Sequence, residues 1–138
     1  MIGVVVVTHG RIGEEMVAAV QRIFPDMKHM IGVEVQSDAP PSRMQERVRE
    51  AIATVRGDRG VLILTDMFGG TPSNICLPFL NESGIEVISG VNMPMLMKLA
   101  NLATDMSFEE LVSYIQRYGQ RNIVVASSVL AGDMAQHG

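Results

Sequence analysis

Two stretches of this chain are apolar at nearly every position: Ile2-Gly3-Val4-Val5-Val6-Val7-Thr8 and Val61-Leu62-Ile63-Leu64-Thr65. A strand with one wet face alternates polar and apolar residues. An unbroken, β-branched run of this length reads as a strand covered on both faces. Covering both faces takes helices on both sides of the sheet, which requires crossover connections and parallel strands. The segments between the runs supply those helices. Met16, Val20, Ile23 and Phe24 recur at helical spacing after about Glu14, and Pro25-Asp26 closes that pattern. Ser42 with Gln45 has the form of a capping box opening a helix whose stripe is Met44, Val48, Ile52 and Val55. Ile31–Val35 and Ile85–Ser89 read as further strands. Thr71-Pro72 reads as an N-cap with proline at the first helical position, and Pro78 shortens the helix that follows. Pro94 opens another helix, and Ser107 with Glu110 caps the next. The expected fold is therefore α/β: one doubly wound, mostly parallel sheet of four or five strands with helices on both faces. Ile123–Leu130 reads as a last strand, antiparallel at an edge or paired with a second copy of the chain.

The 138 residues suit a single domain, 1–138, and a hydrophobic content of 47% is enough for a core. A net charge of -4 argues against nucleic acid as a partner. Cys76 is the single cysteine, so no internal disulfide can form, which fits a reducing compartment. The chain opens on strand-like residues with no basic, cleavable leader, and no apolar segment reaches the ~20 residues that span a bilayer. The expectation is a cytoplasmic protein with no direct membrane insertion.

The chemistry gathers at strand ends. His9 follows the first buried strand and precedes Gly10. Asp66 ends the third and opens Met67-Phe68-Gly69-Gly70-Thr71-Pro72-Ser73-Asn74. In a parallel sheet these ends lie on one side, where ligands of open α/β sheets bind. An aspartate accepting one imidazole N–H leaves the other nitrogen with its lone pair, which is a nucleophile. Gly69, Gly70 and the start of the next helix form the makeup of an anion cradle. Thr8, Thr71 and Asn74 add possible side-chain donors. A phosphoryl group on His9 would be stabilised there without a metal. Bland alternatives exist for each residue. Asp66 alone is a common turn former, Arg11 reads as solvated or as a phosphate contact, His29 reads as surface and His137 as tail. Neither His29 nor His137 has metal-ligand spacing with Cys76, which reads as a small buried residue, and His9 with Asp66 is too small a set for zinc. No metal and no cofactor is expected. Thr8-x-Gly10-x-x-Gly13, with Glu34 downstream, partly matches a dinucleotide fingerprint. However, Thr8 stands at its first glycine and His9 would crowd a pyrophosphate.

The Thr8-His9-Gly10 turn, the Asp66–Pro72 segment and the run Gly90-Val91-Asn92-Met93-Pro94-Met95-Leu96, in this order, resemble the mannose-type IIA domain of the bacterial phosphoenolpyruvate-dependent phosphotransferase system. The resemblance implies a metal-independent phosphotransferase in which His9 takes a phosphoryl group on Nε2 from the phosphocarrier HPr, with Asp66 as its orienting carboxylate. Thr8, Gly10, Phe68, Gly69, Gly70, Thr71 and Asn74 would surround the phosphate. His9 would pass the group to a IIB protein on a separate chain, which serves sugar uptake through membrane IIC and IID proteins. A regulatory use of His9 phosphorylation is the other role open to such a domain. The family also forms homodimers by exchanging a C-terminal strand. Phe68 and Thr71 stand where a Trp and a Ser are common in it.

Overall fold

A computed structural model describes residues 1–132. Its sheet has four strands, β1 (Gly3–His9), β2 (Met30–Val35), β3 (Val61–Thr65) and β4 (Ile85–Ser89), in the order β2-β1-β3-β4. All three pairings are parallel, with Val7 level with Val33 on one side and with Thr65 on the other. The doubly buried runs are the two central strands: Val4 to Val7 and Val61 to Leu64 have no solvent exposure.

Alternation along those strands divides the core in two. Val4, Val6, Leu62 and Leu64 face α1 (Ile12–Ile23), α4 (Met93–Ala100) and α5 (Phe108–Arg121), while Val5, Val7 and Ile63 face α2 (Pro41–Val55) and α3 (Thr71–Cys76). Met44 and Met95 are buried in these layers, and Met16, Met93 and Met97 pack at their margin.

Several sequence expectations are corrected. Ile123–Leu130 is not an antiparallel edge strand of this chain's sheet: Ile123 to Val125 run free of the sheet, and Ala126–Leu130 form α6. A β-branched run extends only where a neighbouring strand pairs with it, and among the described residues no strand is hydrogen-bonded to it. The buried face of α1 is Gly13, Val17 and Val20, whereas Ile23 is 57% exposed at the last turn. The Ser42–Gln45 box does not form, because Pro41 at the first helical position starts α2 earlier, after Pro40. In α3 the cap is Gly70 and Thr71 is already helical, so the helix starts one residue earlier than expected. Pro78 removes a helical donor, and the chain tightens into a 3-10 turn over Leu77–Asn81. The Ser107–Glu110 box is present with both of its bonds, at 3.1 and 3.2 Å.

Candidate functional site

The sheet order places the change of winding direction between β1 and β3, since the chain builds outward to β2 from β1 and to β4 from β3. Crevices of open α/β sheets form at such a point, beyond the carboxyl ends of the strands. His9 is the last residue of β1, and Asp66 follows the last residue of β3. The site pair therefore flanks the switch point.

The geometry of the pair is specific. Asp66 Oδ2 lies 2.8 Å from His9 Nδ1 and also accepts the His9 main-chain N–H at 3.2 Å. Asp66 Oδ1 accepts the Met67 N–H at 3.1 Å. A carboxylate can only accept, so the ring nitrogen facing it carries the proton. Neutral His9 is thereby held as the Nδ1–H tautomer with the Nε2 lone pair free. The His9 side chain is 46% exposed and that of Asp66 17%, so the nucleophilic edge is open while its tether is sheltered.

Gly70 borders that open edge. A Cβ there would lie 2.9 Å from His9 Cε1 and 3.3 Å from Nε2, so the backbone approaches the ring as only glycine allows. Gly69 turns the chain in the left-handed region, at φ 89°, with nothing near where its side chain would be. Thr71 and Asn74 are exposed on the first turns of α3, and the Asn74 N–H bonds the Gly70 carbonyl at 3.0 Å. Met67 and Phe68, which follow Asp66, are 54% and 74% exposed, and Ile12 at the start of α1 is 51% exposed.

Other expected residues fall differently. Thr8 is fully buried, and its hydroxyl accepts the Gly13 N–H at 2.7 Å, so it grips the turn behind His9. Gly13 works sterically: a Cβ would meet the Val6 carbonyl at 2.8 Å, and its absence lets α1 lie against β1. The glycine spacing that partly matches a nucleotide fingerprint is thus used for helix packing, with its last N–H already occupied. Arg11 is exposed and reaches Glu15 at 3.4 Å, one helical turn away. Glu34 shares with His9 and Asp38 a shallow cleft of about 540 Å³.

His29 is not plain surface. It is half-buried, and its Nε2 lies 3.1 Å from the Leu99 carbonyl at the end of α4. The loop sequence Lys28-His29 carries no sign of this bond, which depends on a residue 70 positions away. His137 lies outside the described residues. Burial pushes the Cys76 thiol up to about 12, which makes it a poor nucleophile. Among the described residues no three His, Cys, Asp or Glu side chains gather as a metal-holding group, and no helix is long and apolar enough to cross a membrane.

The third motif supports the site from behind. Asn92 caps α4 by accepting the Met95 N–H at 3.2 Å, and its amide donates to the Gly119 carbonyl of α5 at 3.0 Å. The turn before it is tied to β3, because the Thr65 carbonyl accepts both the Gly90 and the Val91 N–H groups at 2.9 and 3.0 Å.

Comparison with known proteins gives a consistent picture. Residues 3–116 match the family model described as the PTS system fructose IIA component. The fructose-specific EIIA component of Bacillus subtilis is 27% identical over 131 residues, which is 94% of this chain and 90% of that protein. The mannose-specific EIIAB component of Escherichia coli K12 is 27% identical over 124 residues; the match takes in 88% of this chain but spans only 38% of that relative. A crystal structure of the phosphotransferase system component EIIA from Streptococcus agalactiae shares the fold, with a TM-score of 0.80 at 23% identity over 93% of this chain and 99% of that one.

Proposed function

From its membership of the PTS fructose IIA component family, to which this chain belongs, we propose that the protein carries phosphoryl groups in a sugar phosphotransferase system through a phosphohistidine at His9. In this reading phospho-HPr docks over the switch point. The His9 Nε2 lone pair attacks phosphorus, the bond from phosphorus to the donor imidazole breaks, and the donor nitrogen keeps the electron pair. The His9 Nδ1 proton stays on the ring, and Asp66 balances the charge that develops there. Backbone N–H groups of Gly69, Gly70 and Thr71 and the side chains of Thr71 and Asn74 surround the transferred group, with Gly10 giving the turn its clearance. Thr8 acts on the turn and not on the phosphate. Transfer to a IIB partner reverses the same steps, and no metal is required. Such a relay places the protein in the cytoplasm.

The observation that carries this reading is the 2.8 Å contact of Asp66 Oδ2 with His9 Nδ1, which leaves Nε2 unprotonated at an exposed edge bordered by Gly70. Incubation with phosphoenolpyruvate, Enzyme I and HPr should place acid-labile phosphate on the wild-type chain and none on His9→Ala. An unlabelled wild type, or equal labelling of the variant, overturns the proposal.

We also propose a homodimer through the β4 edge. Among the described residues β4 has no hydrogen-bonded strand on its outer side, and the groove along it, of about 570 Å³, is lined by Phe68, Leu80, Val87 and Ile123 among others. Ile123, Val124 and Val125 are 77%, 49% and 68% exposed next to it, more apolar surface than an unpaired sheet edge usually leaves open. Light scattering after gel filtration should give twice the chain mass, and Ile123→Asp should halve it. A monomeric wild type refutes the dimer.

A further inference from the structure

We propose that Thr8 and Thr65 are paired positioning residues that hold His9 and Asp66 in transfer geometry. This rests on His9 being the phosphoryl acceptor. Among the described residues three polar side chains are fully buried: Thr8, Thr65 and Ser73. Two of them stand immediately before the two site residues, at the ends of the two central strands. Every other side chain in Val4–Val7 and Val61–Leu64 is apolar. A buried hydroxyl is costly unless it is bonded, and valine has nearly the same shape, so packing alone favours valine at both places.

The two hydroxyls make matching bonds to the turns that follow them. Thr8 Oγ1 accepts the Gly13 N–H at 2.7 Å and lies 3.5 Å from the Gly10 carbonyl, two residues on. Thr65 Oγ1 lies 3.4 Å from the Met67 carbonyl, also two residues on, and 2.7 Å from Ser89 Oγ. One hydroxyl proton serves one acceptor at a time. With Ser89 donating to Thr65 and Thr65 donating to Met67, both contacts are satisfied. Each turn is therefore drawn back onto its own strand end. The Met67 end of this tie reaches the site directly, because the Met67 N–H is held by Asp66 Oδ1. Strand β1 fixes where the imidazole leaves the sheet, β3 fixes where the carboxylate leaves it, and the backbone pairing of Val7 with Thr65 sets the two in register. What remains free is the path of each turn, and the two hydroxyls restrain it.

A merely structural threonine would change stability and leave the ring's proton where it is. The test therefore reads the tautomer. In full-length chain labelled with ¹⁵N-histidine, at a pH where His9 is neutral, the wild type should show the Nδ1–H form. Thr8→Val and Thr65→Val should shift the ring signals toward a mixture of tautomers. They should also slow phosphorylation by phospho-HPr roughly 10- to 100-fold, the cost of misplacing a reacting group by up to an ångström. Thr8→Ser and Thr65→Ser, which keep the hydroxyl, should restore both readouts. If a valine variant fails to fold, Ser89→Ala and the serine variants decide. Ser89→Ala removes the outer end of the tie and should shift the tautomer in the same direction as Thr65→Val. An unchanged tautomer in the folded variants overturns the proposal, as does a rate loss that follows the melting temperature alone. Should the wild type take no phosphate, it is the carrier function that fails, and the tautomer series still decides whether these threonines position the pair.

Discussion

Gly70→Ala isolates the approach of backbone to imidazole from everything else in the site. The Gly70 backbone is extended, at φ −86° and ψ 176°, and alanine adopts it without strain. Fewer unfolded conformations then favour the fold by about 0.4–1 kcal/mol. The added methyl would stand 2.9 Å from His9 Cε1 and 3.3 Å from Nε2. Carbon atoms in contact rest about 3.5–4.0 Å apart, so the ring has to retreat by roughly 0.6–1 Å. Its tether is the 2.8 Å bond from Nδ1 to Asp66. A retreat of that size stretches the bond toward its limit and loses much of about 1.5 kcal/mol, the low end for a charged partner because the ring is half exposed. That energy alone is about tenfold in rate, and misalignment of Nε2 with phosphorus raises the loss toward 100-fold. The expected variant is as stable as the wild type or slightly more so, and transfers phosphate about 10- to 100-fold more slowly. Rapid-quench phosphorylation by phospho-HPr, with melting measured on the same samples, reads both. Gly69→Ala is the control: at φ 89° with open space around its Cβ it should cost about 1–2 kcal/mol of stability through backbone strain, with no methyl on the ring. A Gly70→Ala chain that is phosphorylated at the wild-type rate refutes the reasoning.

Further outcomes follow from the core and the caps. Gly13→Ala should destabilise by about 1–3 kcal/mol in urea unfolding, because its Cβ would meet the Val6 carbonyl at 2.8 Å and lift α1 from β1. Ser107→Ala should cost about 1 kcal/mol by breaking the capping box of α5, with no change in phosphate transfer. Burial moves the Cys76 thiol from its ordinary 9.0 up to about 12. The folded chain then keeps a proton that the unfolded chain releases, so this stabilising term is complete below pH 9 and is lost as pH rises toward 12, by up to about 1.4 kcal/mol per unit. Cys76→Ala should flatten the stability–pH curve in that window, as followed by urea midpoints.

The fold was largely legible because consecutive valines and leucines can be buried on two faces only in a central parallel strand, and Val4–Val7 and Val61–Leu64 are such strands. His9 and Asp66 were legible for the same reason, since each follows a run whose end the pattern defines. Residues whose role depends on distant partners were not. Thr8 reads as a phosphate donor and Thr65 as an ordinary strand end until the Gly13 and Ser89 contacts are seen. Gly70 reads as part of an anion cradle with no sign that its backbone abuts the imidazole, and His29 as a surface residue until Leu99 is found beside it. Ile123–Leu130 misleads because β-branched composition states a preference for pairing without supplying a neighbour.

The mounting of the two site residues bears on how the molecule comes apart. His9 and Asp66 project from β1 and β3, the strands with a hydrogen-bonded neighbour on each side. Local opening begins where backbone bonds face solvent, at the outer strands and the terminal helix, and reaches doubly flanked strands last. The amides of Val4–Val7 and Leu62–Leu64 should therefore exchange with deuterium only through global unfolding. A chain whose periphery breathes, or is reshaped by whatever it meets, would still keep its imidazole and carboxylate at working distance.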